Sequence, residues 1–246
     1  MIQQLEKKAI EMRRCCLNMA LKYNDTHIAG AFSCLDILVY LYNNFSETKD
    51  RIILSKGHSC IALYACLQDK GFQPVISGHP DIDQYNGIVC STGSLGHGLP
   101  IGVGMAFAKK LQKKEGTVYV ILGDGECQEG TIWESMNLAN KFELSNLVVI
   151  IDQNGLQALD SVENIIGKEN LAEKFRAFGG SITKIDGHNF DDIAKAFENS
   201  SKKRAIRVII ANTVKGKGVS FIENKAQWHS RTPRKEWIDK ALLELS

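Results

Sequence analysis

Val118-Tyr119-Val120-Ile121-Leu122 runs directly into Gly123-Asp124-Gly125, and Leu147-Val148-Val149-Ile150-Ile151 runs into Asp152-Gln153-Asn154-Gly155. Each apolar run reads as a strand ended by turn residues, and residues 129–142 between them read as a helix. A strand–helix–strand order almost always makes the two strands parallel members of one sheet. Neighbouring strands lie about 4.8 Å apart, so Asp124 and Asn154 are expected side by side. They would stand at the carboxyl edge, where open α/β sheets bind ligands. A carboxylate, an amide oxygen and free backbone carbonyls suit a hard cation such as Mg2+, which also takes phosphate oxygens. Gly125, just past the Asp at a helix entry, lets a phosphate approach backbone N–H groups and the positive end of a helix dipole.

Working outward, helices are predicted over 1–23 and 33–43, a strand over 51–54 and a helix over 59–69. A helix over 99–114 carries small residues, Gly102 and Ala106, on one face, where they permit close packing. Further strands are predicted at 117–122, 147–152, 181–186 and 206–212, with helices near 129–142, 169–178 and 190–199. Residues 156–168 form a long connection suited to folding over a bound diphosphate. After Lys215-Gly216-Lys217-Gly218 the tail is a loop and then a helix over 234–245. The expected fold class is α/β, a doubly wound and mainly parallel sheet with helices on both faces. With 246 residues, only four prolines and no visible linker or repeat, the chain is expected to be a single domain, 1–246. It would have an N-terminal helical segment and a C-terminal loop–helix tail, and is long enough to bury a sizeable core.

A formal net charge of +2 gives no case for nucleic acid, and Lys109, Lys110, Lys113 and Lys114 read as a solvated helix face. Seven cysteines without metal-type spacing read as reduced thiols; Cys127, beside Asp124, is expected to be a packed side chain. The N-terminal residues have neither a signal-peptide core nor a lipidation motif, and no apolar run approaches the roughly twenty residues of a membrane span. A soluble, cytoplasmic protein with no membrane partner is expected.

Gly123-Asp124-Gly125 followed thirty residues later by Asn154 resembles the diphosphate-and-metal motif of thiamine diphosphate enzymes. Gly-Asp-Gly-Glu-Cys-Gln-Glu-Gly, 123–130, resembles its transketolase version. Ser55-Lys56-Gly57-His58 and Ser77-Gly78-His79-Pro80-Asp81 resemble two His-bearing loops of that family. Ser91-Thr92-Gly93-Ser94-Leu95-Gly96-His97-Gly98 resembles the loop that holds the aminopyrimidine ring. Thr26-His27-Ile28-Ala29-Gly30 and Trp228-His229 sit where further active-site histidines are found. The motifs fall in family order from about residue 25 to 230. The chain thus resembles the N-terminal, diphosphate-binding half of a transketolase, with the thiamine diphosphate-binding fold.

The resemblance implies thiamine diphosphate held with Mg2+ or Ca2+, the metal bound by Asp124, Asn154 and the carbonyl of Leu156. It implies cofactor contacts from His58, Gly93, Ser94, Leu95, Gly125, Asn154 and His229, and catalytic roles for His27, His79, His229 and Glu129. Glu129 would belong to a carboxylate relay across a dimer interface; its plainer reading is a helix N-terminal acid. Five imidazoles (His27, His58, His79, His97 and His229) are expected in loops around one cleft, although whether His97 faces inward is open. His188 reads as a turn residue, and Glu126 as exposed and without a role. Lys215 and Lys217 read equally as a cover for the cofactor and as a surface loop.

Two departures, Gly93-Ser94-Leu95-Gly96-His97-Gly98 for Gly-Pro-Leu-Gly-Gln-Gly and Thr26-His27-Ile28-Ala29 for Gly-His-Pro-Gly, resemble split, two-subunit transketolases. The family's pyrimidine-binding domain would lie beyond Ser246, so a separate pyrimidine-binding subunit is expected, two of each chain. The implied reaction is ketol transfer: two carbons pass from a ketose, sugar or sugar phosphate, to an aldose acceptor. The runner-up is the alpha subunit of a 2-oxo acid dehydrogenase or another decarboxylating enzyme of the same cofactor. A reading of another class is a non-catalytic binding module, which the intact Asp124, Gly125, Asn154 and histidines oppose. A dinucleotide-binding protein is disfavoured because no G-x-G-x-x-G opens a helix after the first strand.

Overall fold

The computed structural model describes residues 2–198 and 205–246. Among these residues five parallel strands form one sheet: β1 (Arg51–Leu54), β2 (Val118–Gly123), β3 (Leu147–Gln153), β4 (Gly180–Asp186) and β5 (Ile206–Asn212), in the order β1-β2-β3-β5-β4. β5 returns to pair with β3, Ile151 opposite Ile210, leaving β4 at the edge. Side chains alternate between faces along each strand. Val118, Val120, Leu122, Val149 and Ile151 point into one core, and Ile121, Val148 and Ile150 into the other. Both faces are buried, which is why the strands read as continuous apolar runs rather than as alternation.

Helices α4 (Gly98–Leu111), α5 (Gly130–Lys141) and α7 (Leu171–Ala177) cover the first face. Helices α1 (Ile2–Tyr23), α2 (Ile28–Asn44), α3 (Cys60–Asp69), α8 (Phe190–Glu198) and α9 (Lys235–Glu244) pack on the second. The predicted α4 packing is realised at Gly102, where an added Cβ would stand 2.4 Å from Val120 Cγ2. Lys109 and Lys110, on the exposed part of α4, donate to the carbonyls of Lys49 and Phe142.

Several boundaries differ from the sequence reading. α2 begins at Ile28, not residue 33, and is buried almost all round. Packing against α1, α3 and α8 decides its length, so no amphipathic stripe marks its first turn. The 156–168 connection contains a short helix, α6 (Val162–Ile166), capped by the Ser161 hydroxyl accepting from Asn164 N–H at 3.1 Å. The predicted ends at Met1 and Asn199 lie outside the described residues. Among the described residues no helix is long and apolar enough to cross a membrane.

Candidate active site

The register of β2 against β3 sets Gly123 opposite Asp152, and the two strand ends open into one cleft of about 230 Å3. Asp124, Gly125, Asn154 and Leu156 all line it. Asp124 is only 4 % exposed; its carboxylate accepts from Gly125 N–H at 2.8 Å and Gly155 N–H at 2.6 Å. Burial, reinforced by the neighbouring Asp152 carboxylate, pushes its pKa up to about 6. Asn154 Oδ1 accepts from Leu156 N–H at 3.1 Å, and its Nδ2 donates to Asp152 Oδ2 at 3.4 Å. The Leu156 carbonyl accepts from Lys215 Nζ at 3.3 Å. A Cβ at Gly125 would stand 2.9 Å from Gln157 Cγ, so the loop after β3 closes tightly on the Asp124 turn.

Beneath this edge lies a buried pair that the sequence reading missed. Lys56, 2 % exposed, donates to the carboxylate of Asp152, to the Gly30 carbonyl at 2.9 Å and to Ser33 Oγ at 3.3 Å. Ser33 and Thr213 hydroxyls also donate to Asp152. Burial by itself would lower the Lys56 ammonium, but the Asp152 charge holds it above its ordinary value. Burial would likewise raise Asp152, and Lys56 keeps it below the usual carboxylate range. The pair was invisible in the chain because its members stand 96 residues apart. The available signal was that each belongs to a quoted motif, Ser55-Lys56-Gly57-His58 or Asp152-Gln153-Asn154-Gly155.

Four histidines converge. Ring centroids of His27 lie 5.6 Å from His58, 5.5 Å from His229 and 6.4 Å from His79, and His58 lies 5.3 Å from His229. His27 occupies the N-cap position of α2 rather than a free loop. Burial drives His58 down to about 2, helped by the Lys56 charge, and His229 down to about 4, helped by Lys215. Burial lowers His27 as well. These rings are therefore neutral near pH 7. Lys215 is buried in the cleft wall: its Nζ donates to the Gln157 carbonyl at 2.9 Å and lies 3.0 Å from His229 Nδ1. Burial, then the Lys56 charge, lowers it to about 8. An ammonium has only donors, so His229 Nδ1 accepts and its proton sits on Nε2. Lys217 does not join the cleft wall; its carbonyl accepts from Arg13 Nε at 2.9 Å.

The fifth imidazole, whose direction the sequence left open, stands apart from these four. His97 is exposed, at the start of α4, its Nδ1 held 3.1 Å from the Leu95 carbonyl. Ser94 and Leu95 are exposed beside it, and Glu129 is exposed as the residue preceding α5. Gly93 (φ +149°) lies against His79: a Cβ there would be 2.8 Å from the His79 ring. Glu126 overturns its expected exposure. At 2 % exposed it accepts from Ser55 Oγ, from Gly96 N–H at 2.8 Å and from Gly123 N–H at 3.0 Å, joining the Gly-rich loop to the Asp124 turn. A Glu inside Gly-Asp-Gly-Glu reads as a surface turn; the Gly123 donor is local, and the approach of Ser55 and of the 94–98 loop supplies the other two. Cys127 is buried, as a packed side chain should be, and the seven cysteines are free thiols.

Residues 6–242 match the family described as transketolase, thiamine diphosphate binding domain. One of the subunits of an apulose-4-phosphate transketolase, from Phocaeicola vulgatus, is 37% identical over 269 residues, covering 100% of this chain and 95% of its own length. The 6-deoxy-6-sulfo-D-fructose transketolase subunit SqwG of Clostridium sp. is 35% identical, with 98% and 96% covered. The crystal structure of Campylobacter jejuni transketolase superposes with a TM-score of 0.89 at 30% identity; it covers 100% of this chain, which spans 43% of that longer one. The chain therefore belongs to the transketolase family, as a thiamine diphosphate-binding domain.

Proposed function

We propose that this chain is the diphosphate-binding subunit of a two-subunit transketolase, moving a two-carbon ketol unit from a ketose, phosphorylated or free, to an aldose. The observation that carries this reading is the meeting of Asp124, Asn154, two buried lysines and a neutral histidine cluster around one cleft. The residues fit the cofactor and its metal. Asp124 is a buried carboxylate whose ionised form is disfavoured, so a divalent cation such as Mg2+ or Ca2+ would stabilise it. Asn154 Oδ1 and the Leu156 carbonyl complete the oxygen set. Gln128 Nε2 and Gln157 Nε2, buried donors on the same cleft, have no partner, which suits an arriving anion. Lys56, Lys215, His58 and the Gly125 turn would neutralise and grip the diphosphate, and Gly93, Ser94 and Leu95 would border the pyrimidine ring.

When bound, thiamine diphosphate supplies the nucleophilic carbon and electron sink for breaking and remaking a carbon–carbon bond beside a carbonyl. The chain's own task is recognition and proton movement. The His27, His79 and His229 rings can each hydrogen-bond to sugar hydroxyls. His229 offers Nε2–H, because Lys215 fixes the other nitrogen. The exposed Ser94, Leu95 and Glu129 form a rim open to a second chain, which we assign to a pyrimidine-binding subunit, two of each. Relatives of nearly this length that are named as single subunits of a transketolase support a partner. The free thiols suit a cytoplasmic setting.

The test uses the chain assembled with that subunit. Asp124→Ala should abolish Mg2+-dependent binding of thiamine diphosphate while far-UV circular dichroism is retained; binding as tight as wild type would refute the metal assignment. His27→Ala and His79→Ala should impair turnover of a ketose and spare cofactor affinity. Rapid turnover of pyruvate with none of any ketose would favour a decarboxylating enzyme instead, and full ketol transfer by the isolated chain would refute the need for a partner.

A further inference from the structure

Arg13, Asp36 and His188 lie outside the cleft wall and have no part in the chemistry above, yet they form a continuous buried chain of polar contacts. Arg13 Nη1 and Nη2 donate to the two oxygens of Asp36, each at 2.8 Å. Asp36 Oδ2 lies 2.6 Å from His188 Nδ1, and Val214 N–H donates to His188 Nε2 at 2.8 Å. A backbone donor needs a lone pair on Nε2, so the ring proton sits on Nδ1 and is given to Asp36. The guanidinium also reaches forward, Nε donating to the Lys217 carbonyl at 2.9 Å. Arg13 is 5 % and Asp36 4 % exposed, and charges so deep persist only when fully partnered.

The segment these contacts seize follows β5 and holds Lys215 between its two anchor points, Val214 and Lys217. Its neighbours are tied as well: Thr213 Oγ1 donates to Asp152, and Gly216 N–H donates to the Ala29 carbonyl at 2.9 Å. Lys215 ends on two carbonyls and the His229 ring. An ammonium buried on neutral acceptors has solvent as its alternative, so its position depends on the backbone that delivers it.

We propose that His188 is a positioning residue for the cleft: with Arg13 and Asp36 it fixes the loop 213–218 in the conformation that brings Lys215 Nζ onto His229 Nδ1. It thereby sets the His229 tautomer and the cationic wall of the diphosphate site. The affinity part of this inference rests on the thiamine diphosphate reading; the loop and tautomer part does not.

Asn and Gln imitate different ring nitrogens, which separates positioning from bulk stability. His188→Asn keeps a group near Asp36 but cannot reach Val214, whereas His188→Gln carries an oxygen to the Nε2 position. In the full-length chain, the 15N shifts of the His229 ring should report the Nε2–H tautomer in wild type and His188→Gln. His188→Asn should show a mixture. The Kd for magnesium pyrophosphate should rise about tenfold (~1.4 kcal/mol) in His188→Asn and stay within about twofold in His188→Gln. Unchanged His229 shifts in a folded His188→Asn chain would overturn the proposal. So would equal effects of both variants that simply track loss of melting temperature. Should His188→Asn not fold, the through-hydrogen-bond 15N–15N coupling between Val214 and His188 Nε2 in wild type decides, its absence overturning the inference. A wild-type chain that bound no magnesium pyrophosphate would overturn the cofactor reading, and the ring tautomer would still decide the positioning role.

Discussion

Glu126→Ala is the substitution whose cost the structure specifies most closely. The carboxylate accepts from Ser55 Oγ, Gly96 N–H and Gly123 N–H in a pocket that leaves it 2 % exposed. Alanine removes the acceptor and leaves three donors facing a void. A buried donor without a partner costs about 1–3 kcal/mol, while deleting a desolvated carboxylate returns part of that sum. A net loss of about 2–4 kcal/mol is expected, and a urea midpoint lower by about 1 M at an m-value ordinary for such chains. Glu126→Gln should lose less, about 1–2 kcal/mol: its oxygen can still serve Ser55 and Gly96, but its amide N–H2 meets the Gly123 N–H donor to donor. Both variants should also weaken thiamine diphosphate binding, because Glu126 ties the 93–98 loop to the Asp124 turn. Equilibrium urea unfolding by circular dichroism, with slopes compared to exclude a change in the denatured state, is the measurement. An alanine variant within about 0.5 kcal/mol of wild type, the level of an uninvolved surface site, would refute the three-donor account and restore Glu126 to the surface.

Lys56→Met should destabilise the chain by about 3–5 kcal/mol, since it strands Asp152 as an unpaired buried charge, and Asp152→Asn alongside it should recover part of the loss in the same unfolding assay. Gly102→Ala should cost about 1–3 kcal/mol, because its Cβ enters the space of Val120; thermal melting reads this directly. His58 and His229, held down to about 2 and about 4 in the fold, should titrate below about pH 5 by ring NMR. The unfolded rings take protons near about 6.5, so these two groups subtract stability as pH falls from there toward their folded values and leave it unaffected above. Lys215→Met removes the second cause of the His229 shift and should move its midpoint upward.

The parallel sheet and the position of Asp124 beside Asn154 follow from sequence alone, because both are short-range consequences. Two apolar runs separated by one helix leave a single economical connection, and each strand must end where Gly-Asp-Gly and Asn-Gly stop it. The four histidines could be placed at one cleft only through the family's motif order, as periodicity says nothing about which loops meet. What tertiary structure alone decided are polar contacts between residues far apart in the chain: Lys56 with Asp152, Glu126 with the Ser55 hydroxyl and the Gly96 amide, and Asp36 with Arg13 and His188. A buried polar side chain is chosen by the donors and acceptors that packing delivers to it, not by its neighbours in sequence, so Glu126 read as exposed and Lys56 carried no assigned role. The same reason governs α2, whose first turn, Ile28-Ala29-Gly30-Ala31, is helical because it is enclosed by other helices. The direction of His97, open in the sequence, is likewise a tertiary matter: Glu126 and Thr131 hold its loop at Gly96, and the ring itself is exposed. Sequence set where the strands end; long-range packing chose which ionisable groups share the space beneath them, because that space exists only once the layers have met.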